Sequence, residues 1–140
     1  MSQEQVDACT VQRKNSYEYR NRLTGFAYKQ GANLLVGSDL ERHYGVPGFG
    51  YVEELKHFVR SGLSNFDAVK AATYNMSIAR NTQTKNGTIK TGAEANLVVL
   101  NKNPLEDIEN VTPAKDVVLR GNMYTKAILV AALKKLPLYD

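Results

Sequence analysis

Between a helical stretch and a glycine-rich loop the chain carries Ala32-Asn33-Leu34-Leu35-Val36-Gly37-Ser38-Asp39. Adjacent apolar residues on a strand point to opposite sides, so this run reads as a strand over 33–38 buried on both faces, as strands of parallel sheets are. Before it, Tyr19, Leu23, Phe26 and Ala27 recur at helical spacing from about Ser16 to Gln30, and Gly31 stands at the C-terminal stop. Helix, glycine, buried strand and polar loop is the order of an α/β unit. A strand of this kind needs parallel neighbours, and no second run like it lies nearby. Strand edges left open in this way pair with other chains.

Downstream, the loop from Leu40 to Gly50 holds Gly45, Pro47, Gly48 and Gly50 and is expected to be irregular. A helix follows over about 51–61, with Val52, Leu55, Val59 and Leu63 on one face and Glu53, Lys56, His57 and Arg60 largely on the other. Ser64, with Asp67 three residues on, reads as the cap of a third helix running to about Arg80, its buried stripe being Phe66, Val69, Thr73 and Met76. After Arg80 the pattern turns to short extended pieces. Thr88–Thr91, Leu97–Leu100 and Asp116–Arg120 read as strands, and Gly121-Asn122 as the two-residue loop of a tight hairpin. Pro104 to Ile108 reads as a single helical turn, and residues 126–136 as a short helix halted by Pro137. The division expected is a loose lead-in over 1–15, an α/β segment over 16–82, a β-rich segment with the hairpin over 83–126, and a helical tail over 127–140.

Composition removes several function classes. A complete (β/α)₈ barrel takes about 250 residues, and this chain has 140. Basic residues number 18 and acidic 14, a net charge of +4. That excess is dispersed, with Arg13-Lys14 and Lys134-Lys135 the only adjacent basic pairs, which argues against a nucleic-acid partner. The longest wholly apolar run, Ala127 to Leu133, falls far short of a membrane span. A single cysteine, Cys9, leaves no internal disulfide and no cysteine-based zinc cluster. The polar Met1–Gln5 start has no signal-peptide character, and a cytoplasmic protein is the expectation.

Asp39 is the candidate for chemistry. In open or barrel α/β folds ligands bind beyond the carboxyl ends of the strands, and Asp39 ends the doubly buried run. A plainer reading stands beside it: Ser38-Asp39 starts a turn by bonding local amides. His43, four residues on, shares the loop and is either a substrate-loop residue or a solvated one. His57 falls on the polar face of its helix and reads as surface. A catalytic zinc site takes three protein ligands; with two histidines in the whole sequence and no His-x-His or His-Glu-x-x-His spacing, a self-contained metal site is not expected. There is no Gly-x-Ser-x-Gly elbow and no Walker-type phosphate loop.

Taken in order, several stretches resemble the C-terminal part of the metal-dependent amidohydrolase superfamily, in its imidazolonepropionase-like and prolidase-like branches. Leu34-Leu35-Val36-Gly37-Ser38-Asp39 resembles the eighth barrel strand with its terminal Gly-Thr/Ser-Asp. Glu54-Leu55-Lys56 through Ser61-Gly62-Leu63-Ser64 resembles the helix before the family's Gly-Leu-Ser/Thr turn, and Ala71-Ala72-Thr73-Tyr74-Asn75 its Ala-Ala-Thr-x-Asn pattern. Gly87 through Leu100 is similar to the family's sandwich strand, Asn103 to Ile108 to the loop after it, and Val117 to Gly121 to the closing hairpin. The likeness runs from about residue 20 to 125. Asn96 departs from the aspartate common in the family's Ala-Asp-Leu-Val.

The resemblance implies an α/β fold: the last strand and flanking helices of a (β/α)₈ barrel, followed by strands of a composite β-sandwich. It implies that Asp39 binds or approaches a divalent metal, zinc by family habit, takes a proton from the attacking water and passes it to the leaving nitrogen. The other ligands of the family have no counterpart here. The expectation is therefore the C-terminal part of a metal-dependent C–N hydrolase acting on a small molecule, inactive by itself and binding no metal alone. Its partner would be a missing N-terminal barrel portion or a second copy of the chain. The alternative is a non-catalytic assembly module derived from the same fold, with Asp39 a turn residue or relic.

Overall fold

A computed structural model of the chain describes residues 2–38 and 49–135. In chain order these form α1 (Gln3–Lys29), α2 (Phe49–Arg60), α3 (Asn65–Ala72), α4 (Tyr74–Ala79), β1 (Leu97–Leu100), a 3₁₀ turn (Ile108–Val111), β2 (Ala114–Leu119), β3 (Asn122–Thr125) and α5 (Lys126–Leu133). No helix among the described residues is long and apolar enough to cross a membrane.

Residues 3–15, expected as a loose lead-in, are helical. A capping box starts α1: Ser2 Oγ accepts from the Gln5 amide at 3.3 Å, and Gln5 Oε1 accepts from the Ser2 amide at 2.9 Å. That stretch shows no apolar stripe because it is exposed along nearly its whole length. Contact with the rest of the chain begins around Ser16 and culminates at Gly25, which is buried where α1 meets the C-terminal end of α2. The helix ends as expected at Gly31, where the Gly31 and Ala32 amides donate to the Tyr28 and Ala27 carbonyls at 2.9 and 3.0 Å.

The core is small. Val36, Leu55, Phe58, Leu63, Ala68, Ala71 and Ile108 are buried together, with Tyr28, Leu34, Val59, Val69, Ala72 and Val111 packed around them. The third helix of the sequence reading is two helices, broken at Thr73 (φ −126°, ψ −82°), whose Oγ1 donates to the Val69 carbonyl at 2.8 Å. Its buried face also differs. Phe66 is exposed, and Ala68 and Ala71 are the wholly covered positions, because small side chains let the helix lie close against α2. Ser64 caps α3 as read, its Oγ accepting from the Asp67 amide at 3.0 Å.

Residues 32–38 form no ladder with any described strand, so the expected strand over 33–38 is absent as a strand. The reason is partnership: a strand exists through its neighbours, and the strands described here pair only with one another. Val36 is buried, whereas Leu35 is 36% exposed. Thr88–Thr91 likewise forms no strand. The remaining strands make one antiparallel sheet in the order β1-β2-β3, with a register shift between Val99 and Leu100. The hairpin loop is Arg120-Gly121, one residue earlier than read, since Leu119 pairs with Asn122. Both loop residues have positive φ (50° and 81°), the requirement of a tight primed turn. Asn96 Oδ1 accepts from the Arg120 amide at 2.9 Å; an aspartate offers the same acceptor, so the departure from the family pattern leaves this contact intact.

The sheet is apolar on both sides. Val98, Val117 and Tyr124 lie across one face and Leu97, Val118 and Met123 across the other, with Val98 60% and Met123 61% exposed. The region joins the helices through Ile108, through an ion pair of Lys56 Nζ with Glu109 Oε2 at 2.7 Å, and through Asn65 Nδ2 donating to the Leu105 carbonyl at 3.1 Å. The 3₁₀ turn carrying Ile108 begins where the helical turn over 104–108 was expected to end.

Candidate functional site

Both residues singled out from the sequence for chemistry, Asp39 and His43, lie outside the described residues. What is described is the segment preceding Asp39 in the chain and the elements that hold it. At its start, Asn75 Nδ2 from α4 donates to the Leu34 carbonyl at 3.1 Å. At its end, the Gly37 amide donates to Glu54 Oε2 of α2 at 2.9 Å. Between these anchors Val36 enters the core beside Leu55 and Phe58. Side-chain groups thus serve backbone atoms that a sheet neighbour serves in a laddered strand.

Glu54 is half-buried, and burial pushes its carboxyl above the usual glutamate range while the Gly37 amide pulls it back. It went unnoticed in the sequence because helical acids are ordinarily solvated. One signal was present: Glu53, Lys56, His57 and Arg60 make up the polar face, and Glu54 is the acid of α2 that falls outside it. Asn75 carried no signal beyond its place in the Ala-Ala-Thr-x-Asn pattern. Nearby, Tyr51 Oη donates to the Ala72 carbonyl at 3.4 Å, and burial raises that phenol.

His57 is half-buried rather than surface. A 2.7 Å hydrogen bond joins its Nδ1 to Tyr17 Oη, with the rings edge to face at 5.0 Å, and Arg60 Nη1 donates to the same phenolic oxygen at 3.4 Å. Burial and then the Arg60 charge lower the imidazole from its ordinary value, and hydrogen bonds from Asn21 and Arg60 lower the Tyr17 phenol. These contacts tie α1 to α2. A second polar group lines an open cleft of about 250 Å³ beside Gly31–Leu34. There Asp67 Oδ2 accepts from Tyr28 Oη at 2.8 Å and from the Ser64 hydroxyl, and both hold its carboxyl below the usual range, Ser64 more strongly.

Among the described residues no group of three or more His, Cys, Asp or Glu is placed to hold a metal ion. His57 and Asp67 are engaged elsewhere, and Glu54 is committed to a backbone amide. The described donor set does not fit a metal centre, and Asp39 alone adds a single carboxylate.

The amidohydrolase family model matches residues 7–123. Ochratoxinase of Aspergillus niger is 35% identical over 85 residues, covering 59% of this chain and 17% of that protein. A Xaa-Pro dipeptidase solved with methionine in its active site superposes with a TM-score of 0.66 at 26% identity, over 75% of this chain and 25% of the dipeptidase. Phenylurea hydrolase B superposes with a TM-score of 0.70 at 24% identity, over 82% of this chain and 28% of that one, a likeness of fold. The chain therefore spans about a sixth of the length of the curated relatives it matches, and about a quarter of these solved structures.

Proposed function

The chain belongs to the amidohydrolase family, and from that premise we propose that it is the C-terminal part of a metal-dependent hydrolase cleaving C–N bonds of amides or cyclic amides, inactive in isolation. The observation that carries this reading is one of extent: the family match occupies residues 7–123 here, yet the chain covers 17% of ochratoxinase and 25% of the dipeptidase. Residues 16–82 would supply the last barrel unit, 83–126 strands of the sandwich, and 1–15 and 127–140 the flanking segments. The metal, zinc first among candidates, would take its other ligands from outside this chain.

Within that enzyme Asp39 acts as the proton carrier. Its carboxylate accepts a proton from the attacking water and returns it to the leaving nitrogen, which departs as a neutral amine; the arriving hydroxide ends in the product acid. His43, four residues on in the sequence, is the candidate substrate-loop residue. The lone Cys9 fits a cytoplasmic setting.

Metal analysis and hydrolysis assays on the purified 140-residue chain, with Xaa-Pro dipeptides as probe, test the proposal. The expected result is neither stoichiometric zinc nor turnover, with activity appearing on co-expression with the remaining barrel segment. Tightly bound zinc together with turnover by the chain alone would overturn it.

A second reading, a non-catalytic assembly module, is favoured by the sheet that is apolar on both faces and by Ile128 and Leu133 of α5, which are 51% and 63% exposed. Such surface calls for a partner, either a second copy or the rest of the barrel. Light scattering separates the cases: a stable homo-oligomer that ignores the co-expressed barrel segment supports the module, and a monomer that captures the segment supports the enzyme.

A further inference from the structure

The two sides of the sheet are not alike. Helix α5 packs against β2 and β3, whereas β1, at the other edge, is hydrogen-bonded to β2 alone among the described residues. An edge strand is a row of unpaired N–H and C=O groups that accepts another strand unless something blocks it. β1 carries none of the usual blocks. Leu97-Val98-Val99-Leu100 includes no charge and no proline. The irregularity in register adds its extra residue to β2, which steps from Asp116 to Ala114, so it does not bend the outer edge away. Val98 stands 60% exposed within this run.

The charges at the ends of β1 say which strand fits. Glu94 precedes it and Lys102 follows it, both exposed. Lys102 makes no ion pair among the described residues, and Glu94 makes one, an exposed contact with Arg120 at 3.9 Å. Two such strands laid antiparallel bring the acidic end of each beside the basic end of the other. Laid parallel, they would set like charge against like.

We propose that the open edge of β1 seats a second copy of this chain, paired antiparallel about a two-fold axis at Val98, so that two three-stranded sheets become one of six. The inference deepens the assembly reading given above and rests on it. Residues opposite each other in an antiparallel pair share a face of the sheet, so the axis passes through a residue and not between two. An axis at Val98 sets Leu97 opposite the partner's Val99 and, counted outward, Glu94 opposite the partner's Lys102. An axis at Val99 would set Leu97 opposite the partner's Asn101 and leave Lys102 opposite the partner's Asn96. Being isologous, the contact closes on itself and yields a dimer.

Light scattering and sedimentation of the 140-residue chain test the pairing. The expected mass is twice the 15.6 kDa of the chain at high concentration, falling on dilution because a ladder this short buries less than a standard interface. Val98→Lys sets two ammonium groups against each other at the axis and is expected to weaken the dimer by about a hundredfold. Tyr124→Lys and Met123→Lys, one on each face of the sheet and away from β1, are expected to leave it within about threefold of wild type. If Val98→Lys loses its far-UV circular dichroism, the charge variants decide, since both positions are exposed. Glu94→Lys and Lys102→Glu are each expected to weaken the dimer by about tenfold, and the double variant to return within about threefold of wild type. Lys102→Glu also brings the net charge of +4 nearer zero, which favours association, so weakening there reports the local contact.

A monomer at every concentration would overturn the pairing together with the assembly reading. A dimer that Val98→Lys and the charge variants leave unchanged would overturn the edge alone. So would a dimer broken as readily by Tyr124→Lys or Met123→Lys, the mark of stacked faces. Capture of a co-expressed barrel segment by the wild type, lost in Val98→Lys, would give the edge to that segment and overturn the pairing of copies.

Discussion

Substitution of Gly25 by alanine puts the packing of the two longest helices to a direct test. A Cβ built on Gly25 would lie 2.2 Å from the Ser61 carbonyl oxygen and 3.3 Å from its carbon. Ordinary contact sits near roughly 3.5 Å, so the methyl overlaps by more than an ångström with backbone that has no rotamer to change. In an exposed helix the same substitution gains about 1 kcal/mol of helix propensity. Here it must separate α1 from the end of α2, whose Leu55 and Phe58 pack in the core, an overpacking penalty of about 3 kcal/mol. The net expectation is a loss of about 2 kcal/mol, or roughly 5–10 °C in Tm, followed by far-UV circular dichroism on heating. Gly37→Ala is the matched control: no atom lies within 4 Å of its Cβ, and it is expected to melt within about 2 °C of wild type. A Gly25→Ala protein melting at or above wild type would refute the close crossing, and with it the account of why α1 is anchored from its middle onwards.

Ser64→Ala should cost about 1 kcal/mol by removing the α3 cap. Because Ser64 first and Tyr28 second hold the Asp67 carboxyl below its ordinary value, that carboxylate adds stability above the usual aspartate range and loses it as pH falls through the lowered value. The gap between Ser64→Ala and wild type in urea titrations is therefore expected to narrow in acid; a gap independent of pH would assign the whole effect to the cap. Arg120→Asn should raise the unfolding free energy by about 0.5 kcal/mol, read as a higher urea midpoint, since asparagine tolerates the positive φ of 50° that arginine now adopts; the Glu94 contact it gives up, at 3.9 Å, is an exposed pair of little worth. Asp39→Asn is expected to abolish turnover in the complete enzyme and to change the unfolding free energy of this chain by less than about 0.5 kcal/mol; a loss of several kcal/mol would make Asp39 a structural residue.

Elements that carry their own pattern were legible in the sequence. Helix α2 announced itself through Val52, Leu55 and Val59, the start of α3 through Ser64 and Asp67, β1 through Leu97-Val98-Val99-Leu100, and the hairpin through its glycine, one residue out of register. The first half of α1 was missed because periodicity reports burial, and that half is buried against nothing described; its signal was the local capping box. Phe66 misled for the converse reason, being the largest apolar residue on α3 but not the one facing α2. The strand over 33–38 was misread because strand character depends on neighbours that the run itself does not encode.

Local order and family membership follow from the residue string, since helical stripes, caps, turn residues and the ordered run of motifs are all relations between residues a few positions apart. Asp39 as a candidate came from that level too. The tertiary structure decided which polar groups are bound to which backbone atoms: Glu54 to Gly37 across seventeen positions, Asn75 to Leu34 across forty-one, Tyr17 to His57 across forty. No spacing rule reaches that far. Such contacts exist only after Leu55, Phe58, Ala68 and Ala71 have closed around Val36, because burial is what deprives a carboxylate or an amide of water and compels it to find a partner.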